Sequence, residues 1–217
     1  MTLSEENYLK TIYHLTTTIN SEVSTNAIAE KMETKASSVT DMLKKLAEKD
    51  LVNYIKYQGV SLTEKGNLSA KMIVRKHRLW EVFLVEKLDF SWDEVHDIAE
   101  QLEHIKSDKL INKLDDFLDN PTEDPHGDPI PDANGKILKK EQLLLSDLKE
   151  SKIGICVGVK DTSSEFLKYL DKQGIALGSK IEFISKEEFD LSLRIKVNDN
   201  EITISNKIAS NLYLKIK

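Results

Sequence analysis

The sequence has one cysteine, four prolines and no long apolar run, and each scarcity excludes a class of protein. Cys156 cannot form an internal disulfide, and the apolar stretch around it favours a place in the core. No stretch approaches the ~20 apolar residues that a membrane-spanning helix needs, and no basic-hydrophobic signal peptide opens the chain. We therefore expect a cytoplasmic protein without a membrane partner.

Net positive charge is absent as well, since the formal net charge is −6, which is unusual for a nucleic-acid-binding protein. The charge is unevenly spread, however. Residues 31–65 contain seven lysines against five acids, whereas residues 91–128 contain three lysines against twelve acids. The first segment can bind phosphates if its lysines share a face, and the second would attract cations.

The first 65 residues have the pattern of a winged helix-turn-helix. Apolar residues at helical spacing predict a first helix over residues 4–17. A short helix capped at residues 24–26 and a polar turn at 34–38 lead into a third helix that runs to about Lys49. Two short strands, 51–55 and 60–63, enclose a turn in which Gly59 can adopt a positive φ. This arrangement predicts DNA binding.

The third helix and the wing contain the side chains expected to contact DNA. Small polar and basic groups there would reach base edges and phosphates in the major groove. The candidates are Lys35, Ser37, Ser38, Thr40, Lys44 and Lys45 on the helix, with Lys56 and Tyr57 at the wing. The alternative for the two serines is that they only cap the helix, and the direction of Asp41 stays open.

Clustered histidines and glutamates follow the predicted DNA-binding segment. A single helix over residues 93–107 would place four of them on one face, because they recur at spacings of four, three and one. They are His96, Glu100, Glu103 and His104, and a second pair is formed by His77 and Glu81. Nitrogen and oxygen ligands without thiolate suit Mn(II), Fe(II) or Zn(II). The alternative is a solvated polar face, but clustered carboxylates repel one another unless a cation neutralises them.

Residues 67–88 predict a long helix, and helical character continues to Leu118. All four prolines lie between residues 120 and 135, which predicts a loop or linker, and residues 139–150 then predict a short helix. From Ile153 onward, alternation of period two predicts a small barrel with a helix inserted at residues 163–172. The remaining histidines, His14 and His126, have no matching partner and are predicted to lie on the surface.

Several separated motifs, in the same order, resemble the diphtheria toxin repressor and manganese transport regulator family. The resemblance runs from Leu3 to about Pro131 and is looser over the β domain. The motifs are Tyr8-Leu9-Lys10-Thr11-Ile12-Tyr13, Ala36-Ser37-Ser38-Val39-Thr40, Leu62-Thr63-Glu64-Lys65-Gly66, Arg75-Lys76-His77-Arg78-Leu79-Trp80-Glu81, Val95-His96-Asp97, Glu103-His104, Ser107-Asp108 and Asp128-Pro129-Ile130-Pro131.

The resemblance implies a mainly α fold with a C-terminal all-β domain. We expect a winged helix-turn-helix DNA-binding domain at 1–72 and a helical metal-binding and dimerisation domain at 73–140. A linker helix at 141–150 and an SH3-like β domain at 151–217 would follow. In the family, a metal-loaded homodimer binds palindromic operator DNA and represses metal-uptake genes.

Two metal sites are also implied by the resemblance. The primary site would use Asn7, Glu100, Glu103 and His104, and the ancillary site His77, Glu81, His96 and Asp161. Glu100 stands where iron-responsive relatives have a cysteine, and a hard carboxylate favours Mn(II) there. Asn7 stands where manganese-responsive relatives have an aspartate. Lys10 offers no second N-terminal carboxylate, which argues against the compact two-metal cluster of the shorter manganese regulators.

The sequence thus predicts a metal-activated transcriptional repressor, responsive to Mn(II) or alternatively Fe(II), and not an enzyme. One rival is a metal-dependent hydrolase that uses the same ligands to activate water. Against it, the sequence has no His-Glu-x-x-His order and no phosphate loop. The other rival is a winged-helix regulator of a small organic ligand, which the acidic, histidine-rich segment makes a weaker hypothesis.

Overall fold

The computed structural model describes residues 1–19, 22–56, 58–138, 141–148 and 152–216. The chain divides into two compact units, and each is treated separately below. Unit 1 comprises Met1–His77, Glu100–Lys113 and Pro131–Ile137, and unit 2 comprises Arg78–Ala99, Leu114–Ile130 and Leu138–Lys217. Among the described helices, none combines the length and the apolar character needed to cross a membrane.

Unit 1 contains the predicted winged helix-turn-helix. Its helices are α1 (Leu3–Ile19), α2 (Thr25–Lys31) and α3 (Ala36–Glu48), and the antiparallel strands β1 (Val52–Ile55) and β2 (Gly59–Leu62) form the wing. The Ser24 side chain caps α2 by accepting a hydrogen bond from the Ala27 N–H at 3.1 Å. Gly59 has a φ of +126°, which a residue with a side chain rarely adopts.

Apolar side chains of all three helices and of the wing form the core of unit 1. Their helical and strand periodicities place one face of each element inward. Leu9 and Ile12 of α1, Leu43 and Leu46 of α3, and Val60 of β2 are among the fully or almost fully buried residues. The opposite face of α3 is therefore left to solvent.

In the described part of the chain, the wing is followed by the helices α4 (Glu64–Leu88), α5 (Val95–Leu102) and α6 (Asp108–Phe117). The prediction of one helix over residues 93–107 is wrong at both ends. Helix α5 ends at Leu102, where the Ile105 N–H bonds the Leu102 carbonyl at 3.1 Å and closes a tight turn. Glu103 and His104 lie in that turn, so they do not continue the helix face of His96 and Glu100.

Unit 2 contains the predicted all-β domain. The described residues of this unit form six strands: β3 (Leu143–Leu144), β4 (Ile153–Val159), β5 (Lys180–Lys186), β6 (Leu193–Val197), β7 (Asn200–Ile204) and β8 (Leu212–Ile216). They pair in antiparallel fashion in the order β3-β8-β4-β5-β6-β7. The helix predicted after β4 is present as α7 (Ser164–Lys172), and a one-turn helix α8 (Asn206–Ala209) precedes β8.

Cys156 lies in the core of unit 2, as the sequence predicts. Its side chain is buried among the strands and α7, and burial raises the pKa of its thiol to about 11. A thiol with so high a pKa is a poor nucleophile and a poor metal ligand at neutral pH. Cys156 is therefore a structural residue.

The predicted linker helix is wrong over its described residues. Leu143 and Leu144 form a strand, because they pair with Leu214 and Tyr213 of β8, and Leu145–Asp147 then make a single 3-10 turn. Strand pairing and the burial of Leu145 outweigh the local helical pattern. Residues 139–140 and 149–150 of the prediction lie outside the described chain.

Candidate metal centres and DNA-binding face

Unit 1 contains the four residues predicted for the primary metal site together with His77, which was predicted for the ancillary site. The five residues are here called the unit 1 cluster: Asn7, His77, Glu100, Glu103 and His104. Helix α1 provides Asn7, α4 provides His77 and α5 provides Glu100, while the turn after α5 provides Glu103 and His104. Ligand atoms of His77, Glu100 and Glu103 all lie within 4.8 Å of one another. Such spacing is compatible with shared coordination of one cation.

Glu103 is at the centre of the cluster and is completely buried. Its Oε2 atom lies 2.7 Å from His77 Nδ1 and accepts a hydrogen bond from Lys10 Nζ, also at 2.7 Å. Burial alone would raise the pKa of Glu103, but the His77 ring and the Lys10 ammonium outweigh burial and lower it. Glu103 is therefore a carboxylate at neutral pH, although it lies out of solvent.

The other oxygen of Glu103 has no hydrogen-bond partner among the described residues. Glu103 Oε1 and Asn7 Oδ1 are both buried acceptors without a donor, which is an uncommon and costly condition for polar atoms. His104 Nε2 lies 3.8 Å from Glu103 Oε1. Two unsatisfied oxygen atoms and an imidazole nitrogen form a donor set that suits Mn(II), Fe(II) or Zn(II), so these residues fit a divalent metal.

Glu6 fixes the orientation of His104. Its Oε2 atom lies 2.7 Å from His104 Nδ1, and the Glu6 side chain is almost fully buried. A ring whose Nδ1–H donates to a carboxylate keeps Nε2 as the atom with a free lone pair. This carboxylate and histidine pairing is the usual arrangement behind a metal-ligating imidazole. Glu6 directly precedes Asn7, but no motif or spacing in the sequence marks it as the partner of His104.

Lys10 is the second residue whose role sequence reasoning missed. Its ammonium donates to Glu103 Oε2 at 2.7 Å and also bonds Glu100 Oε1. The side chain is 12% exposed, so the two ion pairs are largely shielded from water. From the sequence alone, Lys10 is notable only because it offers no carboxylate ligand.

Unit 2 contains a separate group of ligands, the unit 2 triad: Glu81, Asp124 and His126. All three residues are buried, and their ligand atoms lie within 4.8 Å of one another. Glu81 Oε2 lies 3.7 Å from His126 Nδ1, and Glu81 Oε1 lies 3.6 Å from Nδ1 of the more exposed His96. The prediction that His126 is a surface residue is therefore wrong.

The loop at residues 124–128 explains how His126 becomes buried. The Asp124 carboxylate accepts hydrogen bonds from the N–H groups of His126 and Asp128, which folds the loop back on itself. Gly127 has a φ of +85°, and a Cβ there would lie 2.1 Å from the Val157 carbonyl oxygen. The sequence does contain a sign of this loop, because Asp124 lies two residues before His126 and Gly127 follows it. The prolines around these residues instead favoured the prediction of a loop or linker.

Both the acid and the base of this loop have strongly shifted pKa values. Burial, with the Glu81 charge next, raises the pKa of Asp124 to about 7. Burial would lower the pKa of His126, but the hydrogen bond and charge of Glu81 and the charge of Asp124 raise it to about 9. A cationic His126 therefore balances the buried acids of the metal-free triad. Its Nε2–H donates to the Trp92 carbonyl at 2.7 Å.

The predicted ancillary site of His77, Glu81, His96 and Asp161 stays a prediction. His77 bonds Glu103 in unit 1, and Glu81 contacts His96 and His126 in unit 2. Asp161 Oδ1 accepts a hydrogen bond from the Ser163 N–H at 2.9 Å at the start of α7.

The predicted DNA-binding residues of α3 are on its solvent side. Those exposed are Lys35, Ser37, Ser38, Lys44 and Lys45, while Thr40 is half-buried and its hydroxyl donates to the Ala36 carbonyl at 3.0 Å. Lys35 occupies the N-cap, so the serines follow inside the helix and do not cap it. Lys56 is exposed at the end of β1, and Tyr57 lies outside the described residues.

Asp41 also has a defined direction. Its carboxylate is exposed and lies 3.3 Å from Lys44 Nζ, one helical turn further along α3. An exposed pair of this kind contributes little to stability. Lys44 can therefore exchange this partner for a phosphate at small cost.

A winged helix-turn-helix in the same chain as two histidine and carboxylate clusters defines a class, the metal-responsive DNA-binding regulators. Three family models match the chain. The iron dependent repressor N-terminal DNA binding domain matches residues 1–60, and the iron dependent repressor metal binding and dimerisation domain matches residues 63–132. The FeoA domain matches residues 143–216.

Individual relatives agree with these models. A solved manganese-dependent transcriptional repressor in complex with manganese is 33% identical, with a TM-score of 0.86, over 98% of this chain and 100% of that one. An uncharacterised HTH-type transcriptional regulator of Methanocaldococcus jannaschii is 39% identical over 119 residues, or 55% of this chain and 95% of that protein. The chain thus belongs to the diphtheria toxin repressor and manganese transport regulator family of metal-dependent DNA-binding repressors.

The iron-dependent repressor IdeR of Mycobacterium tuberculosis is 35% identical over 126 residues, which is 58% of this chain and 54% of that protein. The chain therefore matches about half the length of this curated relative. The family assigns divalent metal binding, a DNA-binding domain and a dimerisation domain to the chain. Its members are transcriptional repressors, which are not enzymes.

Proposed function

We propose that this protein is a Mn(II)-activated transcriptional repressor that binds palindromic operator DNA as a homodimer and controls metal uptake. The observation that carries the proposal is the pair of buried, unpartnered oxygen atoms of Asn7 and Glu103, with His104 Nε2 near the latter. A divalent cation is the kind of partner that each of these buried oxygen atoms lacks among the described residues. The exposed polar face of α3 supplies the DNA-binding surface.

The donor atoms support Mn(II) before other metals. Glu100, Glu103 and Asn7 offer hard oxygen atoms, and the single cysteine of the chain is a buried core residue. A site without thiolate favours Mn(II) and is least suited to thiophilic metals. Fe(II) is the alternative activator, because its ligand preferences overlap with those of Mn(II) and because one relative is an iron-dependent repressor.

A metal in the unit 1 cluster would act on the DNA-binding domain through α1. Asn7 belongs to α1, whose buried Leu9 and Ile12 pack in the same core as α3, whereas Glu103 and His104 follow α5. A cation that binds Asn7 together with Glu103 and His104 selects one position of α1 relative to that turn. DNA affinity is then linked to metal affinity by a single coupling free energy.

The unit 2 triad is proposed as a second metal site. Its carboxylate and imidazole groups converge within ligand distance, and the metal-free form holds an extra proton on His126 in place of a cation. Metal binding would release that proton. His96, 3.6 Å from Glu81, is available as a further ligand.

An in vitro selection tests the proposal without a known operator. Random duplex DNA is passed over the immobilised full chain with Mn(II), with Fe(II) under anaerobic conditions, and with a chelator. We expect enrichment of a two-fold symmetric sequence with Mn(II), weaker enrichment with Fe(II) and none with the chelator. Equal enrichment of the same sequence under all three conditions would contradict metal activation, and enrichment of an asymmetric sequence would contradict the homodimer.

A further inference from the structure

A turn at residues 91–94 leads into α5 and lies beside His126 of the unit 2 triad. The Glu94 N–H bonds the Ser91 carbonyl at 3.0 Å and closes the turn. The Trp92 carbonyl accepts the hydrogen bond from His126 Nε2–H at 2.7 Å. The Trp92 and His126 rings are also stacked, with centroids 6.3 Å apart and an interplanar angle of 18°. Trp92 therefore contacts this imidazole through both its main chain and its side chain.

Helix α7, which belongs to the same unit, holds this turn at two neighbouring residues. The Trp92 indole N–H donates to Asp171 Oδ1 and Oδ2 at 3.1 and 3.2 Å. Asp93 Oδ2 accepts a hydrogen bond from Ser164 Oγ and pairs with Lys168 Nζ, both at 3.3 Å. Ser164, Lys168 and Asp171 recur on α7 at spacings of four and three, so they share one face of that helix. These three residues are here called the α7 clamp.

The orientation of the imidazole decides which of its nitrogen atoms can reach a metal. Because the Trp92 carbonyl accepts from Nε2–H, the proton is held on Nε2, and Nδ1 is the nitrogen left to coordinate. Nδ1 is also the atom on the side of Glu81, at 3.7 Å from Glu81 Oε2. A displaced carbonyl would therefore misplace the nitrogen atom that the triad needs.

The same turn precedes a second imidazole. His96 is the second residue of α5, and its Nδ1 atom lies 3.6 Å from Glu81 Oε1. The path of the chain through residues 91–94 thus affects both histidines that lie beside Glu81.

We propose that Trp92 and Asp171 are positioning residues of the unit 2 triad, and that the α7 clamp sets the affinity of the triad for a divalent metal. The clamp acts through the Trp92 carbonyl and through the ring that stacks on His126. By thermodynamic linkage, a metal bound to His126 in turn stabilises the clamp. This inference rests on the proposed second metal site.

An ordinary surface contact is the alternative explanation for Asp171, which is itself exposed. Two observations favour a positioning role. The Asp93 carboxylate is only 6% exposed and is held by the same face of α7, and the Trp92 ring packs against the core of unit 2. A turn that is fixed at two successive residues can hold its carbonyl at a defined place.

The experiment measures the Mn(II) affinity of the unit 2 triad by competition with a fluorescent chelator, on the full chain without DNA. All proteins carry His104→Ala, which removes a ligand of the unit 1 cluster. Asp171→Ala removes the acceptor of the indole N–H, and Asp171→Asn keeps a neutral acceptor. Trp92→Phe removes the N–H and keeps an aromatic ring. Glu165→Ala, which removes another exposed carboxylate of α7, is the matched control.

We expect the Kd to rise about threefold to tenfold in Asp171→Ala and in Trp92→Phe. The effect is smaller than the about 10- to 100-fold that is typical when a histidine ligand loses its partner, because these variants only loosen that partner. Asp171→Asn and Glu165→Ala should stay within about twofold of the His104→Ala protein. The double variant Trp92→Phe with Asp171→Ala should bind no more weakly than Trp92→Phe alone, since both changes remove the same hydrogen bond.

A second readout reports the geometry of His126 and not the stability of the fold. Exchange of the His126 Nε2 proton with solvent is followed by NMR in the proteins loaded with diamagnetic Zn(II). Exchange should be faster in Asp171→Ala and Trp92→Phe than in the His104→Ala protein, because the carbonyl that holds this proton is less firmly placed. Thermal unfolding of each metal-free variant establishes that it is folded.

The outcomes separate this inference from the proposed second metal site. If His126→Ala leaves the Mn(II) affinity unchanged, the metal site fails and the inference fails with it. If His126→Ala loses the metal while Asp171→Ala and Trp92→Phe bind as before, the inference is wrong and the metal site stands. Equal losses in Asp171→Ala and Asp171→Asn, or in Asp171→Ala and Glu165→Ala, would also overturn the inference, because charge and not the hydrogen bond would then set the affinity.

Discussion

Replacing Glu6 by glutamine tests whether His104 is oriented for a metal. Glu6 Oε2 lies 2.7 Å from His104 Nδ1, and the substitution retains the size of the side chain while removing its charge. Loss of a carboxylate behind a metal-ligating histidine typically weakens metal binding by about 10- to 100-fold. That range corresponds to about 1.4 to 2.7 kcal/mol of binding free energy.

The neighbouring Glu5 offers a matched control. Glu5 and Glu6 are both 5% exposed on α1, but Glu5 pairs with Lys49 at 2.6 Å. The hydrogen bond from Lys49, followed by that from the Thr2 N–H, lowers the pKa of Glu5. Glu5→Gln should therefore cost some stability and leave Mn(II) affinity within about twofold, as expected for a residue that does not touch the ligands.

The assay is Mn(II) affinity by competition with a fluorescent chelator, together with thermal unfolding of each metal-free variant. We expect a large increase in Kd for Glu6→Gln and almost none for Glu5→Gln. Equal Kd values for Glu6→Gln and the parent would refute the role of Glu6. Equal losses in both variants would point to general disturbance of α1 instead.

Three further predictions concern metal choice, protons and DNA. Glu100→Cys should shift activation from Mn(II) toward Fe(II), Co(II) or Zn(II), measured as the metal concentration needed for half-maximal DNA binding. If the metals rank in the same order of effectiveness as in the parent protein, Glu100 is not a ligand. The Mn(II) affinity of the unit 2 triad should rise about tenfold per pH unit between about pH 7 and 9, because the pKa of His126 is about 9 and its proton must leave when the metal binds. Below about pH 7 the affinity should change more steeply with pH, because Asp124 is then protonated too. His126→Ala should remove this slope, whereas a slope that survives would place the released proton elsewhere. Lys56→Ala should weaken binding to all DNA duplexes and reduce the salt dependence of binding by about one counterion. Ser37→Ala should instead change the base preference by ~1 kcal/mol at particular operator positions. The reverse pattern would contradict the assignment of wing and recognition helix.

The same two raised pKa values predict how stability of the metal-free protein changes with pH. The pKa of His126 rises from 6.5 to about 9 on folding, so its contribution to the free energy of unfolding is complete below about pH 6.5 and is lost as the pH rises through 9. The pKa of Asp124 rises from 3.8 to about 7 on folding, so its contribution to the free energy of unfolding is complete below about pH 3.8 and is lost as the pH rises to 7. Both effects lower stability toward alkaline pH, and metal binding would offset them.

The elements that sequence reasoning predicts well are those with strong periodicity. The winged helix-turn-helix, the long α4 and the alternating strands all bury one face, and that face is visible in the spacing of apolar residues. Helix ends and short segments are predicted less well from the sequence. Nothing local in the sequence marks the end of α5 at Leu102, because the turn there depends on Glu103 and His104 bonding His77 and Glu6, which are distant in the chain.

The residues of the candidate site are likewise only partly predictable from the sequence. The residue types identify Glu100, Glu103 and His104 as ligand candidates, although the single helix assumed for their spacing ends at Leu102. They did not reveal Lys10 or Glu6, because a lysine and a glutamate on an amphipathic helix look like ordinary solvent-facing residues until α1 is placed against the turn that holds Glu103. His126 was missed because its burial depends on the fold of a proline-rich loop and not on a periodic pattern.

The most direct test of the metal-activated repressor is the effect of Glu103→Ala and His104→Ala on Mn(II)-stimulated binding to the selected operator. Both residues lie in a turn outside the hydrophobic cores, but Glu103 is buried and bonds His77 and Lys10. Circular dichroism and thermal unfolding of each metal-free variant therefore establish first that it is folded. The account predicts that each variant loses most of the Mn(II) stimulation and keeps the weak binding of the metal-free protein. Full operator binding with unchanged Mn(II) dependence in either variant would contradict it.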